Sequence, residues 1–309
     1  MSETRRVLVT GAGGYVGAAL VVDLQRRGFR VVGYGHSANF PALRARTDGA
    51  AELVEGDLTD ARALERAVRG ANAVVHAASF AGERSCRRDM PGAVRSIVRG
   101  TRHVVDAIAA GGTARLVHLS TYAVYSTFRE RPMPLEESAE LTPDDLYGTL
   151  KAEAEWEASR IPAVILRLTN VFGRGSGLVL KTDVLGHFTR AIREGKPLKM
   201  NAGGRQGIEF VHVDDVCRVI AELLERPRPT DPLALNVGVG RATSIRELAA
   251  LFQSVAREEL GRDVAIASEE SGEVWPDRWV SIDRLRALFP WYPAKSLEDG
   301  VRELLTAVH

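Results

Sequence analysis

Tyr147 and Lys151 stand four residues apart in Leu146-Tyr147-Gly148-Thr149-Leu150-Lys151, and Thr121 lies upstream at the end of an apolar run. On a helix, positions i and i+4 share a face, so the lysine ammonium can sit beside the tyrosine phenol. An unperturbed phenol, with a pKa of about 10, is only ~0.1 % ionised at neutral pH. A fixed positive neighbour favours the phenolate. Bringing the pKa near 7 requires about 3 units, or ~4 kcal/mol, within reach of one close lysine and a second cationic group. The chemistry on offer is proton exchange with a substrate oxygen. The same pair on an exposed helix would be inert, so the weight of this reading depends on the rest of the chain.

Strand, glycine turn and helix follow one another in Val7-Leu8-Val9-Thr10-Gly11-Ala12-Gly13-Gly14-Tyr15-Val16-Gly17. Glycines let the backbone approach a pyrophosphate, and the helix start offers free N–H groups and positive dipole charge to it. A dinucleotide there supplies the second cation as its nicotinamide. An acidic residue at the end of the next strand would bond the ribose 2′-hydroxyl of NAD and repel a 2′-phosphate. The stretch reads Gly33-Tyr34-Gly35-His36-Ser37 instead. Gly35 takes the acidic position, and His36 and Ser37 can receive a phosphate. This points to NADP(H), with NAD as the alternative; Arg44 and Arg46 are nearby, but no Arg follows the strand directly.

The elements that must position these residues alternate. Strands are expected over residues 5–10, 30–34, 51–55, 73–76, 115–119 and 163–168, and helices over 14–27, 61–69, 92–110 and from about Pro143, with Thr142 as its N-cap. Such alternation implies an α/β Rossmann fold, a doubly wound parallel sheet with helices on both faces. The strands are near-continuous apolar runs, as double-sided burial requires. Further on, 173–183 reads as a loop, 187–194 and 214–225 as helices, 209–213 and 235–239 as strands, 226–232 as a proline-rich turn, and 244–260 and 296–308 as helices. The expected division is a dinucleotide-binding domain over 1–172, with 209–240 returning to it, and a smaller interleaved substrate domain over 173–208 and 241–309.

The chain has 309 residues and a formal net charge of +1, which suggests neither a nucleic-acid nor a membrane partner. Cys86 and Cys217 are far apart with no CxxC, so no disulfide framework or metal site is expected, and a reducing cytoplasm fits. The N-terminus lacks an apolar signal core, and no run approaches the ~18 apolar residues of a span.

The chain resembles the extended short-chain dehydrogenase/reductases, in particular the NAD-dependent epimerase/dehydratase family. The likeness rests on the loop from Thr10 to Gly17, Gly56-Asp57-Leu58, Val75-His76-Ala77-Ala78, Leu119-Ser120-Thr121-Tyr122-Ala123-Val124-Tyr125, the Tyr147/Lys151 pair, Arg167-Leu168-Thr169-Asn170-Val171-Phe172-Gly173 and Phe210-Val211-His212-Val213-Asp214-Asp215. The resemblance implies that Gly11, Gly14, Tyr15, Val16 and Gly17 form the cofactor loop. Asp57 and Leu58 flank the adenine, Ala77, Ala78 and Ser79 line the cofactor, and Lys151 bonds the nicotinamide ribose. It further implies that Thr121 holds the reacting oxygen, Tyr147 exchanges the proton, Asn170 helps hold the substrate, and the protein is a homodimer through helices near 92–110 and 143–159. His76, His118 and His212 read as core histidines, and Asp214-Asp215 as a helix N-terminal pair rather than a metal site.

Departures from the family pattern narrow the chemistry. Tyr122 and Ala123 replace the acidic residues that dehydratases carry after the Ser/Thr, so sugar 4,6-dehydration is not expected. Ile208, before Glu209-Phe210, replaces an Arg that clamps the substrate diphosphate. A second clamp is missing around Gly272-Glu273, with Arg205, Arg241, Lys181 or Arg278 as possible replacements. Ser96 replaces an Asn before Gly100-Thr101. The leading reading is NADPH-dependent reduction of a keto group on a sugar, often nucleotide-linked, with Tyr147 as proton donor. The alternative is an NAD-dependent nucleotide-sugar 4-epimerase using the same residues. A dehydrogenase of a free sugar or sugar acid stays open because the diphosphate clamps are weak. A non-catalytic dinucleotide-binding protein predicts a degraded Tyr/Lys pair, and the pair is intact.

Overall fold

A computed structural model describes residues 5–80, 82–111, 114–126, 129–175, 183–270 and 275–307. The first βαβ unit is β1 (Arg6–Thr10), α1 (Tyr15–Arg26) and β2 (Arg30–Gly35). Then come α2 (Phe40–Arg46), β3 (Glu52–Glu55), α3 (Ala61–Val68), β4 (Ala73–His76), α4 (Glu83–Arg88) and α5 (Met90–Ala93). A π-helical turn at Val94–Arg99 joins α5 to α6 (Gly100–Gly111). β5 (Arg115–Thr121), α7 (Leu146–Ala158), β6 (Ala163–Leu168) and β7 (Asn170–Phe172) follow. Beyond these lie α8 (Val184–Arg193), β8 (Leu198–Met200), β9 (Gly207–Ile208), β10 (Phe210–His212), α9 (Val213–Glu225) and β11 (Leu233–Val237). The chain closes with β12 (Thr243–Ser244), α10 (Ile245–Leu260), β13 (Ile266–Ser268), α11 (Asp283–Leu288) and α12 (Leu297–Thr306).

Seven strands form one parallel sheet in the order β11-β6-β5-β4-β1-β2-β3. This is the doubly wound Rossmann arrangement, and its order reverses between β1 and β4. Side chains alternate across the pleat. Val7, Val9, Val75 and Val117 pack with α1 and α9, whereas Leu8, Val74 and Leu116 pack with α3 and α6 on the other face. Burial on both faces explains why the central strands read as unbroken apolar runs. A third apolar cluster unites Phe172, Leu185, Phe188, Phe210, Leu248, Phe252, Val301 and Leu305 from β7, α8, β10, α10 and α12.

Several boundaries differ from expectation for physical reasons. The helix bearing Tyr147 starts at Leu146, not near Pro143. Asp145 caps it by accepting from the Gly148 N–H at 2.6 Å, while the Thr142 hydroxyl is spent on the Tyr125 carbonyl at 2.8 Å. The expected strand over 209–213 is only three residues long, because the His212 side chain accepts from the Asp214 N–H and starts α9. α8 begins at Val184 because Asp183 caps it. The expected helix over 92–110 begins earlier, where Asp89 caps α5. The expected loop at 173–183 lies largely outside the described residues.

A buried polar network fixes α7 on the sheet. The Arg167 guanidinium on β6 donates to Glu155 on α7 through Nη2 at 2.8 Å and Nε at 3.1 Å, with both side chains under 10 % exposed. The Ser120 hydroxyl on β5 also donates to Glu155. Arg167 Nη1 donates to the Tyr125 hydroxyl at 2.8 Å, and that hydroxyl donates to Asn236 Oδ1 on β11 at 2.7 Å. Removing one partner of a buried pair strands the other charge, at a cost of about 3–5 kcal/mol, whereas apolar replacement of both can be neutral. Glu155→Leu is therefore expected to destabilise by about 3–5 kcal/mol in denaturant unfolding, and Glu155→Leu/Arg167→Met to recover most of it. Additive losses would show that the pair is not coupled.

Candidate active site

Four strand ends converge on one cleft at the carboxyl edge of the sheet. Gly11, Gly13 and Gly14 follow β1, Gly35 ends β2, and His36 and Asn39 follow it. Gly56, Asp57, Leu58 and Thr59 follow β3, and Ala77, Ala78, Ser79 and Phe80 follow β4. The cavity is about 520 Å³, and Asp89, Gly92, Arg95 and Ser96 close its far wall. It straddles the β1/β4 reversal, where open α/β sheets bind ligands.

The glycine loop leaves room for a backbone-hugging ligand. Gly11 has φ +69°, and a Cβ there would strike the Ala78 backbone at 2.7 Å; one on Gly17 would collide with the Gly11 carbonyl. Gly14 precedes α1 with no side-chain cap, and no acidic residue stands in the first turn. The free N–H groups suit a pyrophosphate. Gly11, Gly14, His36, Asp57, Leu58, Ala77, Ala78 and Ser79 line this cleft. Tyr15, Val16 and Gly17 do not; Tyr15 donates instead to the Gly173 carbonyl at 2.5 Å.

Contrary to expectation, Ser37 is not available for a phosphate. Its hydroxyl donates to Glu55 Oε1 at 2.7 Å, and Glu55 lies opposite Gly35 in the strand register. The acidic group absent from the end of β2 is thus supplied by β3. Arg44 and Arg46 are exposed on α2 and do not line the cleft. Asp57 accepts from the Thr59 N–H and hydroxyl at 2.8 and 2.9 Å. The Thr59 N–H bond, with smaller help from His36 and Arg95, lowers its pKa against a burial penalty.

Thr121 ends β5, where its hydroxyl accepts from the Ala123 N–H at 3.2 Å and lies near the Tyr147 phenol. Lys151, one helical turn on, is 2 % exposed and donates from Nζ to the Leu119 carbonyl at 2.6 Å. The lysine expected beside the phenol is thus held by the end of β5. Burial pushes the phenol up from its ordinary value, opposed by the nearby Thr121 hydroxyl, so Tyr147 rests as a neutral phenol. Burial lowers Lys151 to about 8, with Glu155 working the other way. The Tyr147 backbone N–H is held by Glu83 at 2.8 Å.

Asn170 Nδ2 donates to the Tyr122 hydroxyl at 3.2 Å and to the Glu209 carbonyl at 3.0 Å. Glu209, whose role the sequence did not reveal, is fully buried. It accepts from the N–H groups of Val239, Gly240 and Val280 at 2.5, 2.6 and 2.9 Å. Burial raises its pKa to about 7 against those bonds. Glu209, Arg167 and Glu155 each carried one signal: a charge inside an apolar strand, or an acid four residues after Lys151. The three strand histidines are buried. His76 bonds Thr10 and Thr101, and His212 bonds Glu303. His118 differs, with neither ring nitrogen partnered. Cys86 and Cys217 are both free and buried. No described helix is long and apolar enough to cross a membrane.

The curated UDP-glucose 4-epimerase of Azospirillum brasilense is 27 % identical over 96 % of this chain and 89 % of its own length. The dTDP-L-rhamnose 4-epimerase of Burkholderia thailandensis is 27 % identical over 98 % and 95 %. Among solved structures, MoeE5 in complex with UDP-glucose and NAD is 25 % identical, covers 97 % of each chain and superposes with a TM-score of 0.81. These similarities fit the epimerase reading better than NADPH-dependent keto reduction. The profile of the NAD dependent epimerase/dehydratase family matches residues 7–238, and with the cleft and the Thr121/Tyr147/Lys151 arrangement this shows that the chain is an enzyme of that family.

Proposed function

We propose that this protein is an NAD-dependent 4-epimerase of a nucleotide-linked sugar. The observation that carries the reading is the Thr121 hydroxyl beside the partly buried Tyr147 phenol, with Lys151 one turn away and a dinucleotide-sized cleft adjoining. NAD held in that cleft supplies a hydride acceptor that later serves as the donor. Tyr147, neutral at rest, must first lose its proton; as the phenolate it takes the proton from the sugar hydroxyl and later returns it, and Thr121 holds the same oxygen in line. Lys151 carries the charge that favours the phenolate. Glu55 beside Ser37 supports NAD over NADP, because a carboxylate there repels a 2′-phosphate. Tyr122 and Ala123, which offer no carboxylate for elimination, speak against dehydration.

The test uses the protein as purified. Stoichiometric NAD is expected on denaturation, together with interconversion of a UDP- or dTDP-sugar 4-epimer pair. Tyr147→Phe should retain NAD but lose roughly 100- to 10,000-fold in turnover. Near-normal turnover in that variant, or a protein that binds only NADPH, would sink the reading.

Lys151 trades stability for function. Its native pKa, about 8, lies below the ordinary 10.5. Between those values the unfolded chain binds more protons, so stability rises with pH across that window, and the charge costs stability below it. Lys151→Met is expected to raise Tm at pH 7, with the gap closing between about pH 8 and 10.5, while activity is lost. A lowered Tm at pH 7 would contradict this.

We also infer a homodimer through the outer surfaces of α6 and α7. Trp156 on α7 is 64 % exposed, on a helix otherwise packed against the fold, and Met90 at the start of α5 is 53 % exposed. Large exposed apolar side chains on these helices support an interaction surface there. Light scattering after gel filtration should give twice the chain mass, and Trp156→Glu should give the single mass; a monomeric parent protein would refute the inference.

A further inference from the structure

Arg278 is 5 % exposed, and its Nη2 is buried with no hydrogen-bond partner. No carboxylate forms an ion pair with it among the described residues. A guanidinium in that condition is costly, and the fold holds it there firmly. The Asp277 carboxylate accepts from the Gly207 N–H at 2.6 Å, and the Trp279 carbonyl accepts from the Leu135 N–H at 3.0 Å. The Val280 N–H donates to Glu209 at 2.9 Å, and the Ser281 N–H to the Leu135 carbonyl at 2.8 Å. Both sides of Arg278 are therefore pinned, through Glu209 and Leu135, to the frame that carries Asn170.

The surroundings identify the location. Arg278 lies near Tyr122 and Asp144. Asp144 accepts from the Ser126 hydroxyl. Tyr122 directly follows Thr121, and its hydroxyl is held by Asn170. The guanidinium is thus beside the residues flanking the reacting end of the site. The other cations considered as replacements for the missing diphosphate clamps are less suited. Arg205 is paired with Glu270 at 3.1 Å, Arg241 is exposed, and Lys181 lies outside the described residues.

We propose that Arg278 is a specificity-determining residue that receives an oxyanion of the substrate on Nη2. The oxyanion is either a carboxylate on the sugar ring or a diphosphate oxygen. This rests on the nucleotide-sugar reading above and adds to it the requirement for an anionic group at this point. Pre-organised guanidinium donors suit planar oxyanions, and substrate binding supplies the acceptor that the protein withholds.

Calorimetric titration of the NAD-loaded protein with UDP, dTDP, UDP-glucose and UDP-glucuronate tests it. Arg278→Gln should weaken binding roughly 10- to 100-fold, the span expected for one charged hydrogen bond. A loss shared by all four ligands assigns the diphosphate, and a loss confined to UDP-glucuronate assigns the carboxylate. Arg278→Lys should restore part of the affinity. Arg278→Met should hold or raise the Tm of the protein without substrate, since it removes a buried unpaired charge. Unchanged affinities in Arg278→Gln overturn the proposal, as does a fall in Tm with Arg278→Met, which would mark a structural role. A parent protein that retains NAD but binds none of the four ligands overturns the nucleotide-sugar reading and this proposal together, whereas a failure of the variants alone leaves that reading intact.

Discussion

The geometry of the candidate site depends on one buried ion pair, Arg167 with Glu155. Tyr147, Lys151 and Glu155 follow one another at intervals of four on α7, so all three project from one side of the helix. Fixing Glu155 to Arg167 on β6 and Ser120 on β5 sets both the rotation and the height of that helix against the sheet. Thr121 is the next residue after Ser120, so its meeting with Tyr147 follows from the same contact. The pair is paid for in desolvation, and its use here is registry rather than net stability.

Glu209 plays the corresponding part on the substrate side. One fully buried carboxylate gathers N–H groups from the 239–240 turn and from Val280, while its own carbonyl accepts from Asn170. Segments far apart in sequence thereby form one rigid wall. Arg278 and Tyr122 belong to that wall, and Arg278 is buried within it. The site concentrates groups that burial disfavours when charged, Lys151 and Glu209 among them. Such crowding is the usual signature of a site that uses those groups.

The end of β2 shows how a local reading can miss a partner. Gly35 occupies the position where one strand would offer an acid, and its absence suggested room for a phosphate. The neighbouring strand brings Glu55 to the same spot by register, and Ser37 is committed to it. The Thr142 cap failed in a similar way: a suitable hydroxyl was present, but the Tyr125 carbonyl had already claimed it. In both cases the residue type was read correctly, and a tertiary partner decided its use.

The alternation of apolar runs and helical patterns determined the parallel sheet, because a strand buried on both faces must be apolar along its whole length. Spacing alone placed Tyr147 and Lys151 on one helix face, and the glycine turn after β1 marked one end of the cleft. Those features are local, with periods of two or 3.6 residues and one tight turn. The tertiary structure alone decided that Lys151 bonds the Leu119 carbonyl, that Glu155 and Arg167 lock α7 in place, and that Glu55 stands beside Ser37. It also decided that Arg278 is buried next to Tyr122. Each depends on residues from different elements meeting in a low-dielectric interior, where the partner a polar group finds outweighs any preference written in its neighbours.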